Sequence, residues 1–489
     1  MNSLKINEKD NVDLCIEKIT KGNSVMNVKA AEDIPFGHKI ALTDINCGEK
    51  IIKYGFPIGT ATKDIHAGEW VHSHNMKTLL SGEESYTYSP LDFSEIPREE
   101  RFFDGYLRSD GSVGIRNEIW IIPTVGCVNK TAENICKKAN ELYGSMCDGV
   151  FAFTHPYGCS QLGDDMKNTQ KILGGLARHP NAFGVLLLSL GCENNNLDAF
   201  LPTLGDYDKN RIRTLVTQSV EDEIGAALEI IKELCENAAK EKRQKISLSK
   251  LIIGFKCGGS DAFSGVTANP LCGRVTDRLM TFGASAILTE VPEMFGAETL
   301  LMNRAKNEAV FNSTVSMINN FKKYFKDHGQ VIYENPSPGN KEGGITTLEE
   351  KSLGCVQKGG NARVAAVLDY GEKCTAHGLN LLTGAGNDMV SVTNLTASGA
   401  HMILFTTGRG TPLGAPVPTL KISSNTPLYN KKKNWIDFDA GRVLSGESFD
   451  NLNAELTEKI ISVASGREKT LSEINEYKEI AIFKDGVTL

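Results

Sequence analysis

The sequence predicts an α/β protein in which a small, mostly-β N-terminal module precedes an α/β body with largely parallel sheets. Three observations carry this. Residues 1–78 hold short β-like runs between glycine turns, with little helical periodicity. From "EIWIIPTV" (118–125) onward, short and nearly continuous apolar runs alternate with amphipathic stretches, the pattern of parallel sheets covered on both faces. The chain has 489 residues, too many for one core and enough for about three domains.

The module's runs are "SVMNV", "HKIALTDI", "KIIKYGFPIGTAT" and "EWVHSHN". The last ends in His72 and His74, which share a face if the strand continues through them, because strand side chains alternate. Residues 79–104 are polar, charged and proline-containing, and read as a linker. Residues 105–245 form a first α/β unit: the runs "EIWIIPTV", "DGVFAFT", "AFGVLLLSL" and "RIRTLVT" alternate with helical stretches such as "TAENICKKANELYG". A division in the charged "KEKRQKISLSK" opens a second unit over 246–489. There "KLIIGFK", "SAILTEV" and "HMILFTTGRGTP" read as strands, about 297–328 as one long helical stretch, and 334–360 as a Gly/Pro-rich loop.

Composition narrows the partners. A net charge of −7 provides no global basic field for nucleic acid or an anionic membrane, so an acidic small molecule needs a local cationic pocket. The N-terminus lacks the basic and apolar regions of a signal peptide, and the apolar run "GVLLLSLG" is far short of the ~20 residues that span a bilayer. A cytoplasmic location is expected, where the 12 cysteines are thiols, metal ligands or core residues rather than disulfides.

The residues directly after each apolar run carry the chemistry. Gly126-Cys127, Gly158-Cys159, Gly191-Cys192-Glu193 and Cys257-Gly258-Gly259-Ser260-Asp261 all stand where ligands bind in open α/β sheets, beyond the carboxyl ends of strands. Four cysteines are expected to converge there. The competing reading is that each is an ordinary buried cysteine. No CxxC spacing occurs among them, which disfavours a structural zinc site and suits iron or an iron-sulfur cluster better. His155, Glu290, Glu293 and Arg409 fall at similar positions. "TGAGND" (383–388) resembles a phosphate-cradling loop but lacks a full GxGxxG and a suitable preceding strand, so a nucleotide-dependent oxidoreductase is a weak rival, as is a non-catalytic metal-binding protein.

The segments "GYLRSDGSVGIRN", "THPYGCSQLGDD", "LGCENN", "KCGGSDAFSGVTANP", "TEVPEMFGAE", "YENPSPGNKEGGITTLEEKSLGCVQKGG" and "FTTGRGTP" closely resemble motifs of the altronate/galactarate dehydratase family over practically the whole chain. "HKIALTDI", "IKYGFPIG" and "GEWVHSHN" resemble the SAF β-clip module that begins such enzymes. The resemblance implies loss of water from a sugar acid, D-altronate giving 2-dehydro-3-deoxy-D-gluconate in hexuronate catabolism, with galactarate as the alternative substrate. It also implies dependence on Fe(II) or Mn(II).

Such a reaction needs a base for the C2 proton, an acid for the departing C3 hydroxyl and positive charge beside the carboxylate. The expected catalytic groups are His155, Glu193, Lys256, Asp261 and Glu290. Arg116, Arg409, Ser260 and Asn194 are expected to bind substrate, with Lys256 also facing the carboxylate. Candidate metal ligands are His72, His74, Cys127, Cys159, Cys192 and Cys257. Structural alternatives stand beside these: Arg116 in a satisfied ion pair, Glu193 capping a turn and Asp261 holding the glycine loop. A homodimer is the default assembly.

Overall fold

A computed structural model describes residues 2–93 and 96–489. The N-terminal residues fold as small antiparallel sheets. Ser3–Leu4, Val12–Cys15, Lys39–Ala41 and Trp70–Val71 form one; Lys50–Lys53, Phe56–Ala61 and Met76–Lys77 form another. Where described, the segment expected as a linker has no helix or strand up to Arg101, and positions 94 and 95 lie outside the described residues. It lies along the body, with Tyr86 Oη donating to Glu298 at 2.5 Å and the Leu91 amide donating to the Asn303 carbonyl.

The body is built from two parallel sheets. In chain order its main elements are β1 (Glu118–Pro123), α1 (Asn129–Tyr143), β2 (Val150–Ala152), α2 (Gly163–Ala177), β3 (Ala182–Ser189), β4 (Ile212–Val216) and α3 (Glu223–Ala238). The chain continues through β5 (Ile252–Cys257), α4 (Ala268–Thr281), β6 (Ser285–Leu288), α5 (Glu308–Asp327) and α6 (Leu348–Cys355). It ends with β7 (Val364–Leu368), β8 (Gly378–Leu382), α7 (Asp388–Ala397), β9 (Met402–Thr407), β10 (Thr419–Ser423), β11 (Phe438–Asp439) and α8 (Phe449–Ala464). The smaller sheet has the order β2-β1-β3-β4 and the larger β7-β8-β6-β5-β9-β10-β11, with every pairing parallel.

Local sequence accounts for these elements. β3 (AFGVLLLS) is buried along nearly its whole length because helices cover both faces of its sheet. α3 buries Ala227, Ile231, Leu234, Cys235 and Ala238, a single stripe at helical spacing, and the Asp222 carboxylate caps it by accepting from the Gly225 amide. α2 and α7 pack in one core between the sheets: Leu173 and Leu395 meet Leu187 from the smaller sheet and Phe405 from the larger. The residues just before β3 and β9 meet as well. His179 Nε2 lies 3.1 Å from the Ala400 carbonyl, and the Asn181 amide donates to the His401 carbonyl at 3.0 Å. The amino edges of the two sheets therefore meet at this point.

Two sequence expectations change. The long helix over 297–328 is broken into Glu298–Met302 and α5, because Asn307 accepts from the Val310 amide and starts a new helix. The loop expected over 334–360 contains α6, which lacks an amphipathic pattern because every residue in it is buried. Its charges find tertiary partners. Glu350 receives Lys39 Nζ at 2.9 Å and Lys53 Nζ at 2.8 Å, while Glu349 accepts from the Thr78 hydroxyl and the Leu79 amide. α6 is thereby the seat on which the N-terminal module docks.

Candidate active site

The carboxyl edge of the larger sheet brings together a buried charged cluster. β5 ends in Lys256 and Cys257, and the turn after β6 places Glu290 and Glu293 beside them. Glu290 adopts a left-handed backbone at φ 70°, an unfavourable conformation for a side chain of its size and one that concentrates at functional sites. α6 presents Lys351 and Cys355 from one face, four residues apart, and Lys358 lies just beyond its end.

Lys256 Nζ contacts Glu290 Oε1, donates to Asp388 Oδ1 at 2.9 Å and to the Cys257 carbonyl at 2.7 Å. Burial works against the Lys256 charge, but Glu290 and Asp388 outweigh it and hold the ammonium well above its usual range. The Glu290 carboxyl is pushed up, by burial first and then by Cys257 and Glu293. Burial likewise opposes the Glu293 charge, yet Lys351 at 2.7 Å, with Lys256 and Lys358 behind it, keeps that carboxyl low. The Cys257 thiol is lowered to about 6, chiefly by the hydrogen bond from Cys355, with Lys358 Nζ 3.1 Å away adding to it. Of these groups only Asp388 reaches solvent appreciably.

Cys257 Sγ, Cys355 Sγ and Glu293 Oε2 form a triangle with edges of 3.4, 3.1 and 3.1 Å. Among the described residues it is the one set of three or more His, Cys, Asp or Glu ligand atoms lying within 4.8 Å of one another. Two soft sulfurs and a carboxylate oxygen fit a divalent transition metal in donor chemistry. Lys358 Nζ engages Cys257 Sγ, so ligation by that sulfur and this ion pair are alternatives, whereas Lys351 engages the other oxygen of Glu293, Oε1.

The four cysteines expected to converge are divided between the sheets. Cys257 is buried in the cluster just described, whereas Cys127, Cys159 and Cys192 are exposed beyond the ends of β1, β2 and β3. The loops bearing these three interlock: the Gly126 amide donates to the Tyr157 carbonyl, the Asn195 amide to the Gly158 carbonyl and the Ser160 amide to Asn194 Oδ1. Glu193 ties down the same edge, accepting from the hydroxyls of Thr124 (2.6 Å) and Ser189 (2.5 Å) and from the Gly191 amide (2.6 Å).

Several expected site residues have structural work instead. His155 is buried with Nε2 on the Pro123 carbonyl and Nδ1 accepting from the Tyr157 amide, which leaves no ring nitrogen for a metal or a proton transfer. Arg116 is buried in a fork with Glu473 (2.6 and 3.0 Å) and donates to the Ile115 and Val463 carbonyls. Asp261 accepts from Ser264, Ser424 and Asn425 and so fixes the loop after Gly258-Gly259. Ser260 is buried, its hydroxyl without a protein partner, beside a small cavity shared with Lys351 and Cys355. Arg409 stands half-exposed on the rim, paired with Glu342 at 2.9 Å.

His72 and His74 do not share a face. The strand stops at Val71, and a turn carries His72 inward to Thr346 Oγ1 at 3.0 Å while His74 stays exposed against the Trp70 ring. "TGAGND" does come after a strand, β8, and lead into α7, but the Gly386 carbonyl and Asp388 are turned to Lys256.

Models of three linked domains match the chain: the altronate/galactarate dehydratase SAF domain over residues 1–79, the second domain of D-galactarate dehydratase/altronate hydrolase over 105–239, and the C-terminal domain of D-galactarate/altronate dehydratase over 248–488. The chain belongs to the altronate/galactarate dehydratase family. Within the family it is 50% identical to the altronate dehydratase of Escherichia coli (strain K12), with 100% of both chains covered. It is also 50% identical to the altronate dehydratase of Bacillus subtilis (strain 168), over 99% of each. Against the galactarate dehydratase (L-threo-forming) of Escherichia coli (strain K12) the identity is 32%, over 98% of this chain and 96% of that one.

Sequence reading missed Lys351, Cys355, Lys358 and Asp388. The signal was present in "EEKSLGCVQKGG": Lys351 and Cys355 fall on one face as soon as that stretch is read as a helix.

Proposed function

We propose that this protein is an altronate dehydratase, a hydro-lyase that removes water from D-altronate to give 2-dehydro-3-deoxy-D-gluconate in hexuronate catabolism. The observation that carries the reading is end-to-end 50% identity to two altronate dehydratases, against 32% to a galactarate dehydratase. The enzyme acts in the cytoplasm on a small sugar acid, as a homodimer; no helix among the described residues is long and apolar enough to cross a membrane.

Dehydration moves one proton from C2 and returns one to the leaving C3 hydroxyl, and the enol product then becomes the 2-keto acid. Of the catalytic groups expected from sequence, Lys256 and Glu290 keep that role. They share a proton in a dry pocket, and Asp388, the solvent-facing second partner of Lys256, passes it to and from substrate. Arg409 on the rim faces the carboxylate. Cys257, Glu293 and Cys355 would hold Fe(II) or Mn(II), which would supply positive charge to offset the negative charge that develops beside that carboxylate.

The test is a product assay with D-altronate, galactarate and related sugar acids, run anaerobically with Fe(II), Mn(II) or no added metal. Formation of a 2-keto-3-deoxy acid fastest from D-altronate is expected. Faster turnover of galactarate transfers the substrate assignment, and no product from any sugar acid under iron-replete conditions ends the dehydratase reading.

A further inference from the structure

We infer that Cys127, Cys159 and Cys192 hold an iron-sulfur cluster, at a site separate from the buried Cys257, Glu293 and Cys355 group. The three thiols stand beyond three adjacent parallel strands in the order β2-β1-β3, neighbouring strands being about 4.8 Å apart. All three are exposed, unlike the general run of cysteines, which are among the most buried of residues.

Each thiol is preceded by a glycine that the structure requires. A Cβ on Gly158 would run into the Thr124 carbonyl oxygen, and Gly158 has φ +99°. Gly191 has φ +125° and would meet Gln218 Oε1 at 2.9 Å; Gly126 would meet the His155 carbonyl oxygen at 2.9 Å. Three loops locked together through such positions fix the three thiols relative to one another, which a set of unrelated surface cysteines does not need.

As they stand, the three sulfurs do not converge within 4.8 Å, so they are not gathered around one ion. Thiolates that bind different irons of a cluster need not converge so closely. The surroundings suit an anionic cluster with acceptor sulfurs. Gln218 Nε2 lies 3.5 Å from Cys192 Sγ. Gln161, two residues after Cys159 and 5% exposed, has an Nε2 with no protein partner, a donor free for a cluster sulfur. α1 starts two residues after Cys127 with no side-chain cap and no acidic residue in its first turn, so its amides and dipole favour negative charge there.

Three protein thiolates leave one iron of a four-iron cluster without a protein ligand, open to a hydroxyl or carboxylate oxygen of a small molecule. A role for that iron in turnover rests on the dehydratase reading; the cluster itself does not.

The experiment uses full-length protein purified anaerobically and reconstituted with Fe(II) and sulfide, with iron, acid-labile sulfide and visible absorption measured. About four sulfides and four cluster irons per chain are expected, with one further iron where the Cys257, Glu293 and Cys355 site is loaded, and charge-transfer absorption. Cys127→Ser, Cys159→Ser and Cys192→Ser should each lose most of the sulfide and absorption with unchanged circular dichroism, while Cys47→Ser and Cys355→Ser keep both. No labile sulfide in the reconstituted protein, or sulfide retained in all three variants, overturns the inference. A cluster without turnover of any sugar acid would sink the dehydratase reading alone, and turnover without a cluster would sink this inference alone.

Discussion

Replacing Glu350 by Gln tests how the N-terminal module is held. Glu350 is buried between Lys39 and Lys53, the two cations the module inserts into the body. Burial opposes its charge, but the two lysines outweigh burial and bring the carboxyl from the usual 4.5 down to about 2. At 1.36 kcal/mol per unit, that shift is worth about 3 kcal/mol of stability at neutral pH. The figure is comparable to the ~3–5 kcal/mol for removing one partner of a buried pair. Lys39 limits the loss, since burial already draws it down to about 8 and it can shed its proton.

The depressed carboxyl sets the sign. Its contribution is complete above the unfolded value near 4.5 and disappears as pH falls toward 2. Hydrogen exchange of Lys39–Ala41 and Lys50–Lys53 reads the local opening directly. Glu350→Gln should speed exchange there by about two orders of magnitude at pH 7, at 1.4 kcal/mol per tenfold, with the gap to wild type closing below about pH 4.5. A change of less than about threefold at pH 7 would refute the reasoning.

Arg116→Ala leaves the buried Glu473 unpaired and should cost about 3–5 kcal/mol in urea unfolding, while KM of the folded enzyme for D-altronate stays unchanged; a raised KM with normal stability would restore Arg116 to the substrate site. His72→Ala should loosen the module's exchange protection and His74→Ala should not, so equal effects would contradict the turn at 72–75. Lys256→Met should lower kcat on D-altronate by about 10²–10⁴-fold, and retention of a tenth or more of wild-type kcat would remove Lys256 from proton transfer.

Much of the fold was legible because periodicity is a local property. The runs of β1, β3, β5 and β9 are apolar along their length since both faces are covered, and residues 1–78 show the short runs and glycine turns of a β module. α6 was hidden for the converse reason. Its Glu349, Glu350 and Lys351 look like loop residues until Thr78, Lys39, Lys53 and Glu293 arrive from distant parts of the chain.

By itself the sequence determined the family, the α/β class and the placing of Cys127, Cys159, Cys192 and Cys257 after strands, because these depend on ordered motifs and on which residue ends each apolar run. Only the tertiary structure decided that three of those thiols share one sheet edge in the open while the fourth is enclosed with Cys355, three lysines and two glutamates. It likewise turned His155, Arg116, Glu193 and Asp261 to structural work. Whether a polar group is free to do chemistry depends on which backbone amides, carbonyls and countercharges reach it, and those come from residues tens or hundreds of positions away.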